Sequence, residues 1–245
     1  MKIVAACMCI SIATLCKAQP ADAIHYISLN SAIYLGQYDG TATAADLKKY
    51  GDFGVGSEEA LSGEIVLLNG TPYTIPATGK AGILNPQRKI PFAAVKFFRS
   101  EVMIGLKQNI RTLKQLELYL DSLLDKNRFA AIKITAAFSY VKFRSFYEQP
   151  KPYVPLQEAS EAFFEEKNFS GILVGFYTPK AADVLNSPTY HFHIIDVDKT
   201  TGGHLLECSL KEAKIEIDYA TQLVIDLPSP DVMKEINLNQ AVKKE

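Results

Sequence analysis

Apolar and polar positions along this chain alternate in short runs far more often than they recur at helical spacing. Residues 63–68 (GEIVLL) and 71–76 (TPYTIP) flank Asn69-Gly70, and an Asn-Gly pair between two such runs is the strongest short-range hairpin signal. Residues 91–98 (PFAAVKFF) predict another strand. One segment has clear helical period: Thr112 and Gln115 make a capping box, Leu113, Leu116, Leu120, Leu123 and Leu124 fall on one face, and Asn127 ends it. Residues 129–146 are rich in β-branched and aromatic side chains, predicting one bent strand or a pair. Beyond Gly171 the runs 172–178, 189–197, 204–210, 212–219 and 222–227 all read as strands. Earlier, 24–38 alternates loosely. Residues 39–59, with Gly51, Gly54 and Gly56, suggest loop, short helix over Thr41 to Lys49, loop. A further short helix is expected around 156–167. Gln149 to Pro155 is the candidate boundary between two closely packed lobes, about 19–150 and 151–245. The class is α+β, with mixed and mainly antiparallel sheets and two or three helices; no glycine-rich dinucleotide fingerprint is present.

Residues 1–18 do not belong to this pattern. Lys2 precedes an apolar run from Ile3 to Leu15, and small residues lead to Gln19-Pro20. This predicts a secretory signal peptide cleaved before Gln19 and export to the periplasm or the medium. The run is too short for a membrane anchor, and Leu15 disfavours a lipid attachment at Cys16. Cleavage removes Cys7, Cys9 and Cys16, leaving Cys208 and therefore no internal disulfide. The whole chain carries 26 basic and 27 acidic residues among 245, with 48% hydrophobic. That balance excludes a basic nucleic-acid footprint and a disordered polyelectrolyte. No nucleic-acid or membrane partner is expected of the mature protein.

The rare residue is the informative one. There are four histidines, and three of them, His191, His193 and His204, lie within one predicted hairpin. His191 and His193 are two apart in a strand and share a face. His204 follows the turn Asp198 to Gly203 and folds back beside them. Buried imidazoles require partners, so packing alone explains such a triad poorly. Three converging histidines are the ligand set of an open zinc site. His25 reads as structural, and Asp196 and Asp198 as hairpin-end residues.

Spacing tests the candidate families. A cupin pattern would add a nearby Glu and a more distant His. An alpha-type carbonic anhydrase would place its third His farther away and carry Trp, and this chain has none. Residues 51–64 (GDFGVGSEEALSGE), 91–98, 138–155 (FSYVKFRSFYEQPKPYVP), 171–179 (GILVGFYTP) and the H-x-H with Gly-Gly-His at 202–204 instead resemble, in order, segments of the alpha-acetolactate decarboxylase family. The resemblance implies a carboxy-lyase that converts (S)-2-acetolactate to (R)-acetoin and carbon dioxide in acetoin and butanediol formation. It implies zinc on His191, His193 and His204, completed by Glu64 and a C-terminal glutamate. Glu245 is the natural match for the latter and Glu235 the fallback. It also implies Arg144 projecting into the site and Ser57 near the substrate. The residue pattern by itself leaves Arg144 and Lys142 on one strand face. In this chemistry the metal chelates the substrate ketone and hydroxyl and stabilises the enediolate left by decarboxylation, while an arginine orients the carboxylate. The resemblance further suggests a homodimer. The competing readings are an exported metal-binding module without catalysis and a zinc-hydroxide enzyme acting on carbon dioxide.

Overall fold

A computed structural model of the chain describes residues 22–187, 189–228 and 230–239. The expected signal peptide at 1–18 and Glu245 lie outside them. The first part of the chain forms β1 (Ala23–Ile27), α1 (Asn30–Tyr34), β2 (Ala42–Thr43), α2 (Ala44–Tyr50), β3 (Phe53–Ser57), β4 (Glu64–Leu68), β5 (Thr71–Ile75), β6 (Gly82–Ile83), β7 (Lys89–Ile90) and β8 (Phe92–Lys96). The rest forms β9 (Val102–Ile110), α3 (Leu113–Asp121), β10 (Ala130–Phe146), β11 (Glu161–Thr178), β12 (Thr189–Asp196), β13 (Gly202–Tyr219), β14 (Gln222–Asp226) and α4 (Pro230–Glu235).

Two sheets carry the fold. The first has the order β14-β1-β8-β3-β4-β5-β6, with β14 parallel to β1 and the remaining pairs antiparallel. The second has the order β10-β11-β12-β13-β9, and β10 also pairs with β13, so four of its strands close on themselves. The division expected at Gln149 to Pro155 is therefore not where the sheets part. β9 and β10 precede that stretch yet belong with β11–β13, and β14 returns to the first sheet. The chain crosses from the first sheet to the second in the loop from Phe97 to Glu101 and returns between β13 and β14.

The strict two-residue period of β12 explains why one strand serves two environments. Tyr190, Phe192 and Ile194 enter a core shared with Leu116 and Leu120 of α3. Ile195 joins the core between the two sheets, with Val174 and Phe176 of β11 and Val55 and Val66 of the first sheet, and His191 and His193 alternate onto that same side. Half of the expected α3 capping box forms: Gln115 N donates to Thr112 Oγ1 at 3.2 Å, while the Gln115 side-chain oxygen accepts from Arg111 N at 2.8 Å rather than from Thr112 N. The Asn-Gly turn has positive φ at both residues, 51° and 75°, the type I′ geometry that suits strand twist.

Three expectations are corrected. The described residues hold four α-helices rather than two or three, two of them only five and six residues long. The helix expected around 156–167 is a single 3-10 turn, Leu156–Glu158, followed by β11. There the register from Phe146↔Glu161 to Lys142↔Glu165 gives the backbone a long partner, and that pairing outweighs the helical preference of Glu and Ala. The glycine cluster at 51–56 is not loop: Phe53–Ser57 is a central strand. A Cβ at Gly56 would sit 2.5 Å from the Phe92 carbonyl oxygen, so the glycines permit close strand approach.

A buried ion pair clasps the two sheets. Lys96, at the end of β8, lies 3.0 Å from Asp218 Oδ2 on β13, and both side chains are almost fully buried; Asp22 also accepts from Lys96. Arg99 N donates to Asp218 at 2.7 Å. Burial holds the Asp218 carboxyl above its ordinary value despite the lysine. Lys96→Met removes the counter-charge while keeping volume, and should cost about 3–5 kcal/mol in denaturant unfolding at neutral pH. A carboxyl with a raised folded-state value is relieved by protonation, so the loss should shrink as pH falls.

Candidate metal centre

Strand register builds the site. On β13, His204 pairs with Arg144 of β10 on one side and with His193 of β12 on the other. Directly opposed residues place their side chains on one face, and His191, two residues before His193, joins them. The Gly-Gly pair before His204 makes room. A Cβ at Gly202 would lie 2.1 Å from the Ile194 oxygen, and one at Gly203, whose φ is +152°, would lie 2.4 Å from the Arg144 oxygen. Facing this row, the first sheet pairs Ser57 with both Glu64 and Phe92. His193 Nδ1 bonds the Ile65 carbonyl oxygen at 2.8 Å, tying one sheet to the other at the centre.

The three imidazoles offer ligand nitrogens within 4.8 Å of one another. His191 and His193 are buried and His204 partly so. Their protonation follows from their partners. His193 Nδ1 meets a carbonyl oxygen and so must donate to it. His191 Nδ1 lies 2.6 Å from Asn186 Oδ1, which also accepts from Ser187 N at 2.9 Å. A backbone N–H can only donate, so that atom is the amide oxygen and His191 Nδ1 carries its proton. Burial holds both His191 and His204 well below the ordinary imidazole value, and His193 down to about 4. The nearby Arg144 charge acts in the same direction. The rings are therefore neutral at neutral pH, and the Nε2 atoms of His191 and His193 are bare lone pairs only 3.2 Å apart.

Two buried lone pairs at that separation repel, and a cation between them removes the repulsion. A tetrahedral ion bonded at about 2.0–2.1 Å spaces its nitrogens about 3.3–3.4 Å apart, close to the observed 3.2 Å. Neutral imidazoles are the donors preferred by divalent transition ions. The residues fit a metal.

A cavity of about 390 Å³, counting its open mouth, adjoins the triad, and Ser57, Glu64 and Arg144 line it with the histidines. Glu64 Oε2 is 3.5 Å from His193 Nε2. Burial pushes its carboxyl up to about 7 despite the opposing pull of Arg144. Arg144 Nη1 donates to Glu161 Oε2 at 2.8 Å, and the guanidinium lies 4.5 Å from the centre of the Phe146 ring. Lys142 shares the strand parity of Arg144, but it bridges Glu165 at 3.4 Å in a half-exposed position and does not line the cavity. The Ser57 hydroxyl is buried and makes no hydrogen bond among the described residues.

The structure thus brings together His191, His193, His204, Glu64, Arg144 and Ser57. Glu245 lies outside the described residues, and Glu235 closes α4 with its side chain outside the described set. His25 is remote from the cavity, stacked on Tyr50 and 2.7 Å from Asp226 Oδ2. Asp196 caps the hairpin turn by accepting from Thr200 N and Thr201 N. Sequence reasoning misses Asn186, Glu161 and the apolar walls Ile33, Leu61, Phe92 and Phe146. Nothing local marks them, because each depends on a partner distant in sequence or in an irregular loop.

Fold and cavity define the class: a sheet-rich α+β chain with a candidate metal centre opening on a carboxylate, an arginine and a hydroxyl. A model of the alpha-acetolactate decarboxylase family matches residues 24–240. The alpha-acetolactate decarboxylase of Methanosarcina mazei is 36% identical over 228 residues, 92% of this chain and 79% of that one. The Brevibacillus brevis enzyme of the same name is 36% identical over 229 residues, 92% and 80% respectively. The crystal structure of alpha-acetolactate decarboxylase from Bacillus subtilis strain 168 superposes with a TM-score of 0.85 at 30% identity, covering 89% of this chain and 94% of that one. The chain belongs to the alpha-acetolactate decarboxylase family and is a carboxy-lyase.

His204→Ala should lower divalent metal affinity by more than the 10–100-fold typical of an outer-shell change, as read by competition with a chromogenic chelator. Affinity equal to the parent's would remove His204 from the ligand set.

Proposed function

We propose that the chain decarboxylates (S)-2-acetolactate to (R)-acetoin and carbon dioxide, with zinc held by His191, His193 and His204. The observation that carries this reading is the pair of bare Nε2 atoms 3.2 Å apart beside a cavity holding Arg144, Glu64 and Ser57. A closed structural site lacks an open position, and the adjoining cavity supports an open one. Bound zinc supplies Lewis-acid stabilisation of the negative charge that develops on the substrate's ketone oxygen.

The protein side chains do the rest. Arg144, held by Glu161, presents its guanidinium to the substrate carboxylate and fixes which bond can break. The Ser57 hydroxyl, buried without a partner among the described residues, donates to a substrate oxygen. The apolar walls keep water from the carbanion. The bond to the carboxyl carbon breaks, carbon dioxide leaves, and the electron pair stays as an enediolate. One proton then returns to carbon. Glu64 is buried and lines the cavity, which supports it as a carrier of that proton as well as a ligand, and delivery from one side yields a single enantiomer. Ile236 and Leu238 pack against the core that includes Phe92 and Phe146. We take Glu245 as the further carboxylate, with Glu235 as the fallback. We also propose cleavage before Gln19, export to the periplasm or medium, and a homodimer. Among the described residues no helix is long and apolar enough to cross a membrane.

Protein beginning at Gln19 should form acetoin from fresh 2-acetolactate in a colorimetric assay, lose that activity to a chelator and regain it with zinc. No acetoin from protein carrying one equivalent of zinc would end the assignment. Arg144→Lys should lower kcat by about 10²–10³, the loss typical of one well-placed electrostatic contact, and erode enantiomeric excess. Full rate and full stereochemistry would refute the role given to the arginine.

A further inference from the structure

The loop leading into β12 holds a residue that no motif marks. Asn186 is fully buried. It follows the 3-10 turn Lys180–Ala182, and this loop is pinned by Leu185 in the inter-sheet core and by Ser31 N donating to the Val184 oxygen at 3.3 Å. Its neighbour Ser187 accepts from Asn30 Nδ2 at 3.1 Å. The Asn186 oxygen takes two donors, Ser187 N and His191 Nδ1, at 2.9 and 2.6 Å. Its amide nitrogen is buried without a well-formed partner among the described residues, as are the hydroxyls of Tyr26 and Thr178. The Tyr26 hydroxyl lies beside both Thr178 and Asn186.

We propose that Asn186 is a positioning residue for the metal centre, holding His191 in the tautomer and orientation that leave Nε2 bare toward His193. The inference rests on the reading of the three histidines as metal ligands. The two rings receive different supports. His193 is held by a strand carbonyl, that of Ile65, which no side-chain substitution can delete. Among the described residues the partner of His191 Nδ1 is a side-chain amide on a loop, so its tautomer is the part of the site a single substitution can release. Without Asn186, proton occupancy of Nε2 competes with metal binding, and the ring is free to rotate. Behind it, the buried Tyr26–Thr178–Asn186 cluster supplies no charge, so His191 is oriented without gaining the basicity that a carboxylate partner would give.

The test compares the parent with Asn186→Ala and Asn186→Asp. An aspartate oxygen accepts from both Ser187 N and His191 Nδ1 as the amide oxygen does. Zinc affinity, measured by chelator competition, should fall about 10–100-fold in Asn186→Ala, the usual cost of losing a partner of a ligating histidine. It should be kept within about twofold, or rise, in Asn186→Asp. Cobalt loaded in place of zinc should show an altered visible spectrum in the alanine variant and the parental one in the aspartate variant. A loss of packing alone would lower the thermal stability of Asn186→Ala while leaving the zinc affinity and cobalt spectrum of its folded form parental. Long-range proton–nitrogen spectra of histidine-labelled parent should show His191 protonated at Nδ1 whether or not the alanine variant folds. Parental zinc affinity in folded Asn186→Ala, or an Nε2-protonated His191 in the metal-free parent, would overturn the proposal. Failure of the parent itself to bind metal would instead sink the reading on which it rests.

Discussion

The structure turns on two nitrogen lone pairs that should not be neighbours. His191 and His193 have committed their Nδ1 protons, one to a side-chain amide and one to a strand carbonyl, and burial keeps both rings neutral. Their Nε2 atoms then face each other at 3.2 Å with no proton to share. Such an arrangement is repulsive in a low-dielectric interior and becomes favourable when a cation lies between the nitrogens.

That scaffold supplies precision through register. Arg144, His204 and His193 form one cross-strand row over β10, β13 and β12, and Ser57, Glu64 and Phe92 form another in the opposing sheet. A one-residue slip in any of these ladders would turn a functional side chain to the opposite face. The long β10–β13 and β10–β11 ladders make such a slip costly. The glycines before His204 admit three strands at near contact, and the bond from His193 to Ile65 docks the rows against each other. The Lys96–Asp218 pair clasps the same two sheets elsewhere.

The parts of this plan written in local sequence are readable in advance. The β12 alternation places two histidines on one face, the Gly-Gly turn returns the third, Asn69-Gly70 marks its hairpin, and Thr112 with Gln115 marks α3. The parts written in tertiary pairing are not. Residues 161–167 look helical until Lys142 to Phe146 are seen opposite them. Glycines 54 and 56 look like loop until the neighbouring backbones of β8 are in place. The Pro-rich stretch looks like a boundary, yet β10 pairs across it. Arg144 and Lys142 share a strand face and are told apart only by where the cavity ends, and Asn186 emerges only when the loop before β12 folds beneath His191.

X-ray absorption at the zinc edge, on protein loaded with one equivalent of zinc, tests the central claim most directly. The lone-pair geometry predicts a first shell rich in imidazole, with three histidine nitrogens at about 2.0–2.1 Å and the outer-ring scattering that imidazole gives. A zinc ion bound only by oxygen, or by a single imidazole, would contradict it.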